Sequence, residues 1–177
     1  MSKTINVALA GAGAFGIKHL DGIRNIDGVR VVSLVGRELD KTKEVAAKYG
    51  ISHVTTDLAD SLALPELDAV ILCTPTQMHA AQAMQCLQAG KHVQVEIPLC
   101  DKLADGQQVA ALQKQTGLVA MCGHTRRFNP SHQYVHQKIA AGEFHIQHMD
   151  VQTYFFRRPN MNALGPPRSW TDHLLWH

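Results

Sequence analysis

The chain has 177 residues, 45% of them hydrophobic, with 17 basic and 15 acidic side chains. This length suits one complete domain and part of a second, because domains usually have about 100–200 residues. The charges are mixed along the chain and sum to +2, so the basic face that nucleic-acid binding requires is missing. Apolar runs are far shorter than a membrane span, and no signal-peptide pattern begins the chain. We expect a soluble cytoplasmic protein with small-molecule partners, and neither nucleic acid nor membrane among them.

The cysteines and histidines do not form a recognisable metal or disulfide pattern. Four cysteines are widely spaced without a Cys-x-x-Cys pair: Cys73, Cys86, Cys100 and Cys122. Wide spacing indicates reduced thiols rather than a disulfide framework or a zinc site. Eleven histidines are many for this length, but none has His-Glu-x-x-His or comparable ligand spacing. We therefore expect no metal.

Apolar and helical segments alternate over the first 120 residues. Strands are predicted at 5–10, 29–35, 69–73, 91–95 and 119–122, and helices at 15–25, 39–49, 79–89 and 105–116. Such alternation is typical of parallel strands joined by helical crossovers. Runs that are apolar throughout indicate strands covered by helices on both faces. Gly50, Gly90 and Gly117 follow helices where left-handed caps are common. The fold class is α/β, a Rossmann-type doubly wound parallel sheet of about six strands.

The composition of the sequence changes after Gly123. A basic and aromatic segment follows, and Pro130 is placed to start a helix that runs to Ala141. Residues 144–156 then predict one long strand, 157–169 a loop, and 170–177 the opening of a helix. Because one strand cannot form a stable sheet by itself, we expect an incomplete second unit. The predicted domains are 1–123, which binds a dinucleotide, and 124–177, the beginning of a C-terminal domain.

A glycine-rich loop, Gly11-Ala12-Gly13-Ala14-Phe15-Gly16, lies between the first strand and the first helix. In this context Gly11 permits a tight turn, Gly13 lets the backbone approach a pyrophosphate, and Gly16 lets helix and strand pack closely. The phosphates would lie at the amino end of the helix. A glycine-rich turn without ligand is the alternative. The loop predicts dinucleotide binding.

The end of the second strand predicts which dinucleotide binds. An acidic residue about 20 positions after the glycine loop would accept hydrogen bonds from the ribose of NAD, but Gly36-Arg37 stands there. A guanidinium binds the 2′-phosphate of NADP bidentately, and Gly36 would leave room for it. The alternative is a solvated Arg37, with Glu38 reaching the ribose and NAD also accepted. The pattern favours NADP as cofactor, with NAD possible.

Three further motifs give the chain a family resemblance. They are Cys73-Thr74-Pro75-Thr76-Gln77-Met78-His79, Glu96-Ile97-Pro98 and Arg126-Arg127-Phe128-Asn129-Pro130. With the glycine loop, they resemble the glucose-fructose oxidoreductase, inositol dehydrogenase and rhizopine catabolism family of NAD(P)-dependent oxidoreductases. The resemblance implies that the nicotinamide ribose lies between the Thr-Pro turn and the Glu-x-Pro turn. It implies cofactor contacts from Cys73, Thr74, Pro75, His79, Glu96 and Arg127.

The same resemblance implies a second domain with an open-faced sheet that carries the substrate and subunit contacts. An apolar sheet face needs cover, so we expect a homodimer or homotetramer. The chain departs from the family at Ile97, where a lysine usually takes part in proton transfer. Isoleucine cannot exchange a proton, so either a histidine acts as base or the protein is a non-catalytic NAD(P)-binding regulator.

The last segments, 160–165 and 168–177, resemble more closely the members of this family that oxidise a dicarboxylated semialdehyde with NADP. That reaction, on the cyclic hemiacetal, yields a pyrone dicarboxylate in protocatechuate breakdown. His173 and His177, four residues apart, are candidate catalytic bases, although the base could also lie past residue 177. Two substrate carboxylates require cations, and the candidates are Arg126, Arg127, Arg157, Arg158 and Arg168. A solvated face is the alternative for each arginine, and a sugar or inositol dehydrogenase is the alternative enzyme.

Overall fold

The computed structural model describes residues 4–152, which divide into two compact units after Gly123. The first unit contains six parallel strands in the order β3-β2-β1-β4-β5-β6. The strands are β1 (Ile5–Ala10), β2 (Val29–Val35), β3 (His53–Thr55), β4 (Ala69–Leu72), β5 (His92–Val95) and β6 (Ala120–Cys122). The connecting helices are α1 (Ala14–Ile23), α2 (Leu39–Tyr49), α3 (Leu58–Leu62), α4 (Thr76–Gln88) and α5 (Leu103–Thr116). The predicted Rossmann-type sheet is confirmed.

The strand order reverses at β1, which pairs with β2 on one side and with β4 on the other. In open parallel sheets, ligands bind in the crevice outside the carboxyl ends of the strands at such a reversal. The glycine loop follows β1, and the Thr74-Pro75 turn follows β4. The fold therefore places both predicted cofactor segments at the same edge of the sheet.

The apolar runs of the central strands fill two cores, one on each face of the sheet. Neighbouring residues of a strand point to opposite faces, and both Ala8 and Leu9 of β1 are fully buried. Leu9 packs with Leu20 of α1, and Ala8 belongs to the cluster that contains Leu87 of α4. Helices thus cover both faces, which explains why the central strands are apolar without alternation.

Local signals explain where the helices end. Gly50, Gly90 and Gly117 have φ values of +67°, +74° and +68°, so all three predicted left-handed glycines are confirmed. Helix α4 begins at Thr76, three residues before the predicted start, because Pro75 takes the N-cap position in extended conformation. Strand β3 and helix α3 had no predicted bounds. They contain three and five residues, too few to show a period.

The second unit begins with a 3-10 helix at Thr125–Phe128, followed by α6 at Pro130–Ala140. The predicted helix start is confirmed, with Pro130 in the first turn and the Asn129 side chain accepting a hydrogen bond from the Ser131 N–H. The predicted strand at 144–156 is wrong for 144–152, which form no strand and are exposed. No strand lies in 124–152 to pair with them, and an unpaired strand has no ladder to hold it.

Candidate dinucleotide-binding site

The glycine loop has the close backbone contacts that its sequence predicts. Gly11 has a φ of +110°, and a Cβ there would lie 2.4 Å from the carbonyl oxygen of Cys73. A Cβ on Gly16 would lie 1.8 Å from the carbonyl oxygen of Gly11. The loop therefore folds tightly against the end of β4 and against its own helix, and any side chain at either position would displace backbone.

Gly13 differs from the other two glycines because a Cβ on it would meet no atom within 4 Å. It is the N-cap of α1, no side chain caps that end, and the first turn has no acidic residue. The first N–H groups of the helix therefore have no side-chain acceptor, and the space beside Gly13 is open. This cradle fits a pyrophosphate, whose negative charge also matches the positive end of the helix.

The pair at the end of β2 combines a buried glycine with an exposed arginine. A Cβ on Gly36 would lie 2.0 Å from the Thr42 hydroxyl, which donates a hydrogen bond to the Glu38 carbonyl. Gly36 is thus required by Thr42, a reason that differs from the predicted room for a phosphate. Arg37 is exposed and makes no hydrogen bond or ion pair within residues 4–152. Its guanidinium is free to bind an anion.

Glu38 is the alternative ribose ligand. Its carboxylate lies 2.7 Å from the ammonium group of Lys41 on the first turn of α2. The hydrogen bond and charge of Lys41 hold the pKa of Glu38 below its usual value, and the charge of Arg37 acts in the same direction. Because both side chains are exposed, this pair contributes little to stability. It does give the carboxylate a partner other than a ribose.

The Thr74-Pro75 turn connects β4 to α4 through polar contacts. The Thr74 hydroxyl donates to the Gln82 side chain, and the Thr74 carbonyl accepts from His79. Cys73, directly before the turn, donates its N–H to the carbonyl of Ala10 in β1. Burial raises the pKa of the Cys73 thiol to about 12, and the negative charge of Glu96 contributes to the rise. Cys73 is therefore a neutral thiol at neutral pH.

Glu96 follows β5, and a side chain from α1 contacts it. The His19 Nε2 atom lies 2.8 Å from the Glu96 carboxylate. This hydrogen bond is the main cause that lowers the pKa of Glu96, against the opposing effect of burial, and the Gln94 side chain adds a second bond. A Cβ on Gly123, after β6, would lie 3.1 Å from Glu96. The carboxylate is ionised and held between α1 and the sheet.

The turn continues through a cis peptide bond between Ile97 and Pro98. Pro98 is buried, and its carbonyl oxygen lies 2.7 Å from Nδ1 of His79. His79 is only 1% exposed, and both of its ring nitrogens contact backbone carbonyls. The prediction that His79 orients the cofactor is therefore limited to an indirect action through the two turns.

The structure brings together one part of the predicted site residues. The glycine loop, Cys73, Thr74, Pro75, His79 and Glu96 all lie at the carboxyl edge of the sheet. Arg126 and Arg127 are exposed on the 3-10 helix of the second unit. Five predicted residues lie outside the described ones: Arg157, Arg158, Arg168, His173 and His177.

His19 was not predicted. Its position three residues after Gly16 is a signal that could have found it, because that spacing puts it on α1 next to the loop.

Two absences concern residues 4–152 alone. No group of three or more histidine, cysteine or acidic side chains there is arranged to hold a metal ion. None of the helices in this range is long and apolar enough to cross a membrane.

Comparison with known proteins identifies the family. A sequence model described as "Oxidoreductase family, NAD-binding Rossmann fold" matches residues 5–124. The chain belongs to the glucose-fructose oxidoreductase, inositol dehydrogenase and rhizopine catabolism family. A second model, described as "Bacterial oxidoreductases, C-terminal", matches residues 130–177. The resemblance predicted from the motifs is confirmed.

Three relatives illustrate the range of this oxidoreductase family. The 4-carboxy-2-hydroxymuconate-6-semialdehyde dehydrogenase of Sphingobium sp. (strain NBRC 103272 / SYK-6) is 68% identical over 98% of this chain and 55% of that protein. The scyllo-inositol dehydrogenase of Lactobacillus casei, solved with NAD(H) and scyllo-inositol, is 26% identical with a TM-score of 0.76, over 80% of this chain and 42% of that one. The biliverdin reductase of Synechocystis sp. PCC 6803 was solved with biliverdin and NADP+. It is 27% identical with a TM-score of 0.69, over 78% of this chain and 43% of that one.

The comparisons with these relatives differ in how much of each chain they cover and in the cofactor that the relative binds. The chain spans about half the length of the curated relatives it matches. The closer likeness predicted from its last segments, to a semialdehyde dehydrogenase, is confirmed by the 68% identity. The two solved neighbours bind different nicotinamide dinucleotides on the same fold.

Proposed function

We propose that this protein oxidises 4-carboxy-2-hydroxymuconate-6-semialdehyde with NADP. The substrate would react as its cyclic hemiacetal and give 2-pyrone-4,6-dicarboxylate in the protocatechuate 4,5-cleavage pathway. The single observation that carries the proposal is the 68% identity to a dehydrogenase named for this substrate, over nearly the whole chain. The dinucleotide cradle at the carboxyl edge of the sheet supports it.

The cofactor assignment rests on the two ends of the dinucleotide. The open space beside Gly13 and the uncapped amino end of α1 suit the pyrophosphate. The unpaired guanidinium of Arg37 suits the 2′-phosphate, which NAD lacks. Glu38 already has Lys41 as a partner, which weakens the case for NAD. We therefore assign NADP as the preferred cofactor.

The nicotinamide end would lie at the turns that follow β4 and β5. Cys73, Thr74, Pro75 and Glu96 are the residues assigned to it. The family resemblance also assigns Arg127 to the cofactor. When bound, NADP+ supplies the hydride acceptor for the carbon that carries the hemiacetal hydroxyl. The chain must supply the base that takes the hydroxyl proton as the carbonyl of the lactone forms.

Ile97 has no group that can take this proton, so the base must be another side chain. We assign the role to His173 or His177, whose residue type has an ordinary pKa near neutral pH. Replacing each by glutamine in the complete protein tests the assignment. The base variant should lose about 100-fold or more in kcat, the range for removing a general base. If neither variant slows turnover, both residues are excluded.

The substrate carboxylates require fixed positive charges. We assign Arg126, Arg157, Arg158 and Arg168 to them, since a guanidinium pairs with a carboxylate through two parallel hydrogen bonds. Alanine in place of a carboxylate-binding arginine should raise KM for the semialdehyde more than KM for NADP. An arginine whose removal leaves both values unchanged is a surface residue.

The half-buried Cys73 thiol at the site argues against a covalent mechanism. Aldehyde oxidation through a thiohemiacetal needs a thiolate nucleophile. Burial instead raises the pKa of Cys73 to about 12, so its thiol stays protonated at neutral pH. Direct hydride removal from the hemiacetal needs no such nucleophile and agrees with a neutral Cys73.

An assay of NADP reduction, catalysed by the complete protein, tests the proposed function against its alternatives. We expect absorbance of NADPH to rise with the semialdehyde and not with scyllo-inositol, the ligand of a solved neighbour. Turnover of the inositol alone would establish a polyol dehydrogenase instead. Tight NADP binding without reduction by either compound would indicate a non-catalytic dinucleotide-binding regulator, which the missing lysine at Ile97 favours.

We also propose the domain roles and the assembly. Residues 1–123 form the dinucleotide-binding domain, and residues 124–177 belong to the substrate and oligomerisation domain. Several apolar side chains of 124–152 are exposed, among them Phe144 and Met149. A second subunit would bury these side chains, so we expect a cytoplasmic homodimer or homotetramer. Light scattering that finds a monomer at micromolar concentration would exclude this assembly.

A further inference from the structure

His79 connects the two turns that flank the proposed nicotinamide position. Its Nδ1 atom lies 2.7 Å from the carbonyl oxygen of Pro98, and its Nε2 atom lies 2.7 Å from the carbonyl oxygen of Thr74. Thr74 belongs to the turn after β4, and Pro98 to the turn after β5. The imidazole is 1% exposed, so water does not compete for either contact.

The two contacts differ in what they require of a neutral and of a protonated ring. A carbonyl oxygen only accepts hydrogen bonds, so each contact requires an N–H on the imidazole. A neutral imidazole has one N–H, and its other nitrogen would direct a lone pair at a carbonyl oxygen 2.7 Å away. Only the imidazolium, which donates from both nitrogens, satisfies both contacts. A half-turn of the ring would replace both nitrogens by carbons and lose both bonds.

Two effects oppose a charge on His79. Burial disfavours any ion on His79. The positive amino end of α4 disfavours a cation there, because His79 is the fourth residue of that helix. Two short charge-assisted hydrogen bonds act in the other direction. Glu96 adds a negative charge two residues before Pro98 in the same turn. A neutral ring would avoid the cost of burying a charge, but it would leave one carbonyl oxygen facing a nitrogen lone pair.

We propose that His79 is a buried imidazolium that fixes the spacing between the Thr74-Pro75 turn and the Ile97-Pro98 turn. It is a positioning residue, because both ring nitrogens are occupied by backbone and neither is free for a ligand. Its effect on the nicotinamide end rests on the proposed function. Its protonation does not, since that follows from the two carbonyl contacts alone.

Nitrogen NMR of the unchanged chain tests the protonation directly. With ¹⁵N-labelled histidine at neutral pH, His79 should show two protonated ring nitrogens whose N–H protons exchange slowly with water. His79→Gln assigns the signals by their disappearance. One unprotonated ring nitrogen on His79 would overturn the proposal. This measurement needs neither cofactor nor substrate, so a failure of the proposed function would leave its result standing.

The positioning role is tested with His79→Gln, because a glutamine has a single donor nitrogen and reaches one carbonyl only. Affinity for NADP should fall about 10-fold or more, because the two turns proposed to hold its nicotinamide end are no longer fixed relative to each other. Affinity for 2′-phospho-ADP-ribose, which lacks nicotinamide, should change less than about 2-fold, since its proposed contacts lie at the glycine loop and Arg37. Equal loss for both probes, or no loss for either, would overturn the positioning role.

A matched control is His92→Gln. His92 is exposed at the amino end of β5, where its Nδ1 accepts a hydrogen bond from the Val119 N–H. This edge of the sheet is opposite to the glycine loop, so affinity for both probes should remain unchanged. If His79→Gln fails to fold, through-bond correlation from the His79 backbone amide assigns its ring signals, and the NMR result on the unchanged chain decides the proposal.

Discussion

The imidazole of His19 donates a hydrogen bond to the carboxylate of Glu96 across 2.8 Å. His19 lies on the helix that begins at the glycine loop, and Glu96 begins the turn that contains Ile97 and Pro98. His79 holds the same turn from α4 through the Pro98 carbonyl. Two histidines that follow the two nucleotide turns therefore fix the segment where the family usually has its lysine.

The His19–Glu96 bond should make part of the stability depend on pH. The pKa of Glu96 is lowered below the ordinary value of a glutamate, chiefly by the bond from His19. A carboxylate with a lowered folded-state pKa stabilises the fold above its unfolded pKa and loses that contribution as pH falls through the folded pKa. Glu96→Gln should cost about 1–2 kcal/mol near neutral pH, and the difference from the unchanged protein should shrink below about pH 4.5. Urea denaturation from neutral to acid pH measures it.

The control for this pH dependence is Glu66→Gln. Glu66 is exposed and its carboxylate has no hydrogen bond or ion pair within residues 4–152. The same change of charge should therefore leave a small stability difference that stays flat with pH. An equally flat difference for Glu96→Gln would show that the His19 contact has no electrostatic role.

Gly13→Ala should separate binding from folding. A Cβ at this position meets nothing within 4 Å, and its φ of −84° suits alanine. Stability should change by less than about 1 kcal/mol, because the entropic gain of alanine at a compatible glycine is opposed by the weakness of alanine as an N-cap. The methyl group would occupy the space assigned to the pyrophosphate, so affinity for NADP should fall about 10-fold or more. Calorimetric titration and thermal melting measure the two effects.

Gly22→Ala supplies the comparison, because Gly22 lies on α1 and a Cβ there also meets no atom within 4 Å. It should gain about 1 kcal/mol, because alanine replaces glycine inside a helix, with unchanged NADP affinity. Undiminished affinity in Gly13→Ala would move the phosphates away from this end of α1.

Arg37→Ala should change cofactor preference. NADP and NAD differ only in the 2′-phosphate, so a side chain that binds this group acts on one cofactor alone. Loss of a charge-assisted hydrogen bond costs about 1.5–3 kcal/mol, or roughly 10- to 100-fold in NADP affinity. NAD affinity should barely change. Fluorescence titration of both cofactors measures the ratio.

Arg30→Ala is the matched control. Arg30 is an exposed arginine of β2 whose side chain donates to Asn6. It should leave the ratio of the two affinities unaltered. If Arg37→Ala weakens both cofactors equally, Arg37 supports the adenine pocket, and the assignment of NADP loses its physical basis.

Cys73→Ala should keep catalysis. Burial raises the pKa of this thiol to about 12, so no thiolate is present to attack an aldehyde at neutral pH. We expect kcat within about 3-fold of the unchanged protein, and resistance of the folded protein to iodoacetamide at this residue. Activity abolished by Cys73→Ala, with rapid alkylation in the unchanged protein, would instead support a covalent thiohemiacetal route.

The strands and the glycine loop were predictable because their signals are local. Residues 5–10 are an apolar run directly before the glycine loop, and both features follow from the same stretch of chain. Gly11 and Gly16 carry steric demands that no other residue type meets. Strand β3, with three residues, is too short for any period to appear.

The parts that sequence could not predict depend on distant residues. The partner of His19 is 77 positions away, and the two acceptors of His79 come from different turns. Residues 144–152 show the opposite error, in which local alternation indicates a strand but no neighbouring strand in 124–152 pairs with it. Gly36 is predicted to leave room for a phosphate, and its contact with Thr42 is a further reason for glycine that depends on a residue six positions away.

The most direct test of the proposed oxidation is its stoichiometry in the complete protein. A known amount of 4-carboxy-2-hydroxymuconate-6-semialdehyde would be mixed with excess NADP, and both NADPH and 2-pyrone-4,6-dicarboxylate would be quantified by chromatography. We expect equal amounts of the two products, with slower formation when NAD replaces NADP. If the protein binds NADP but forms neither product, it does not catalyse this reaction.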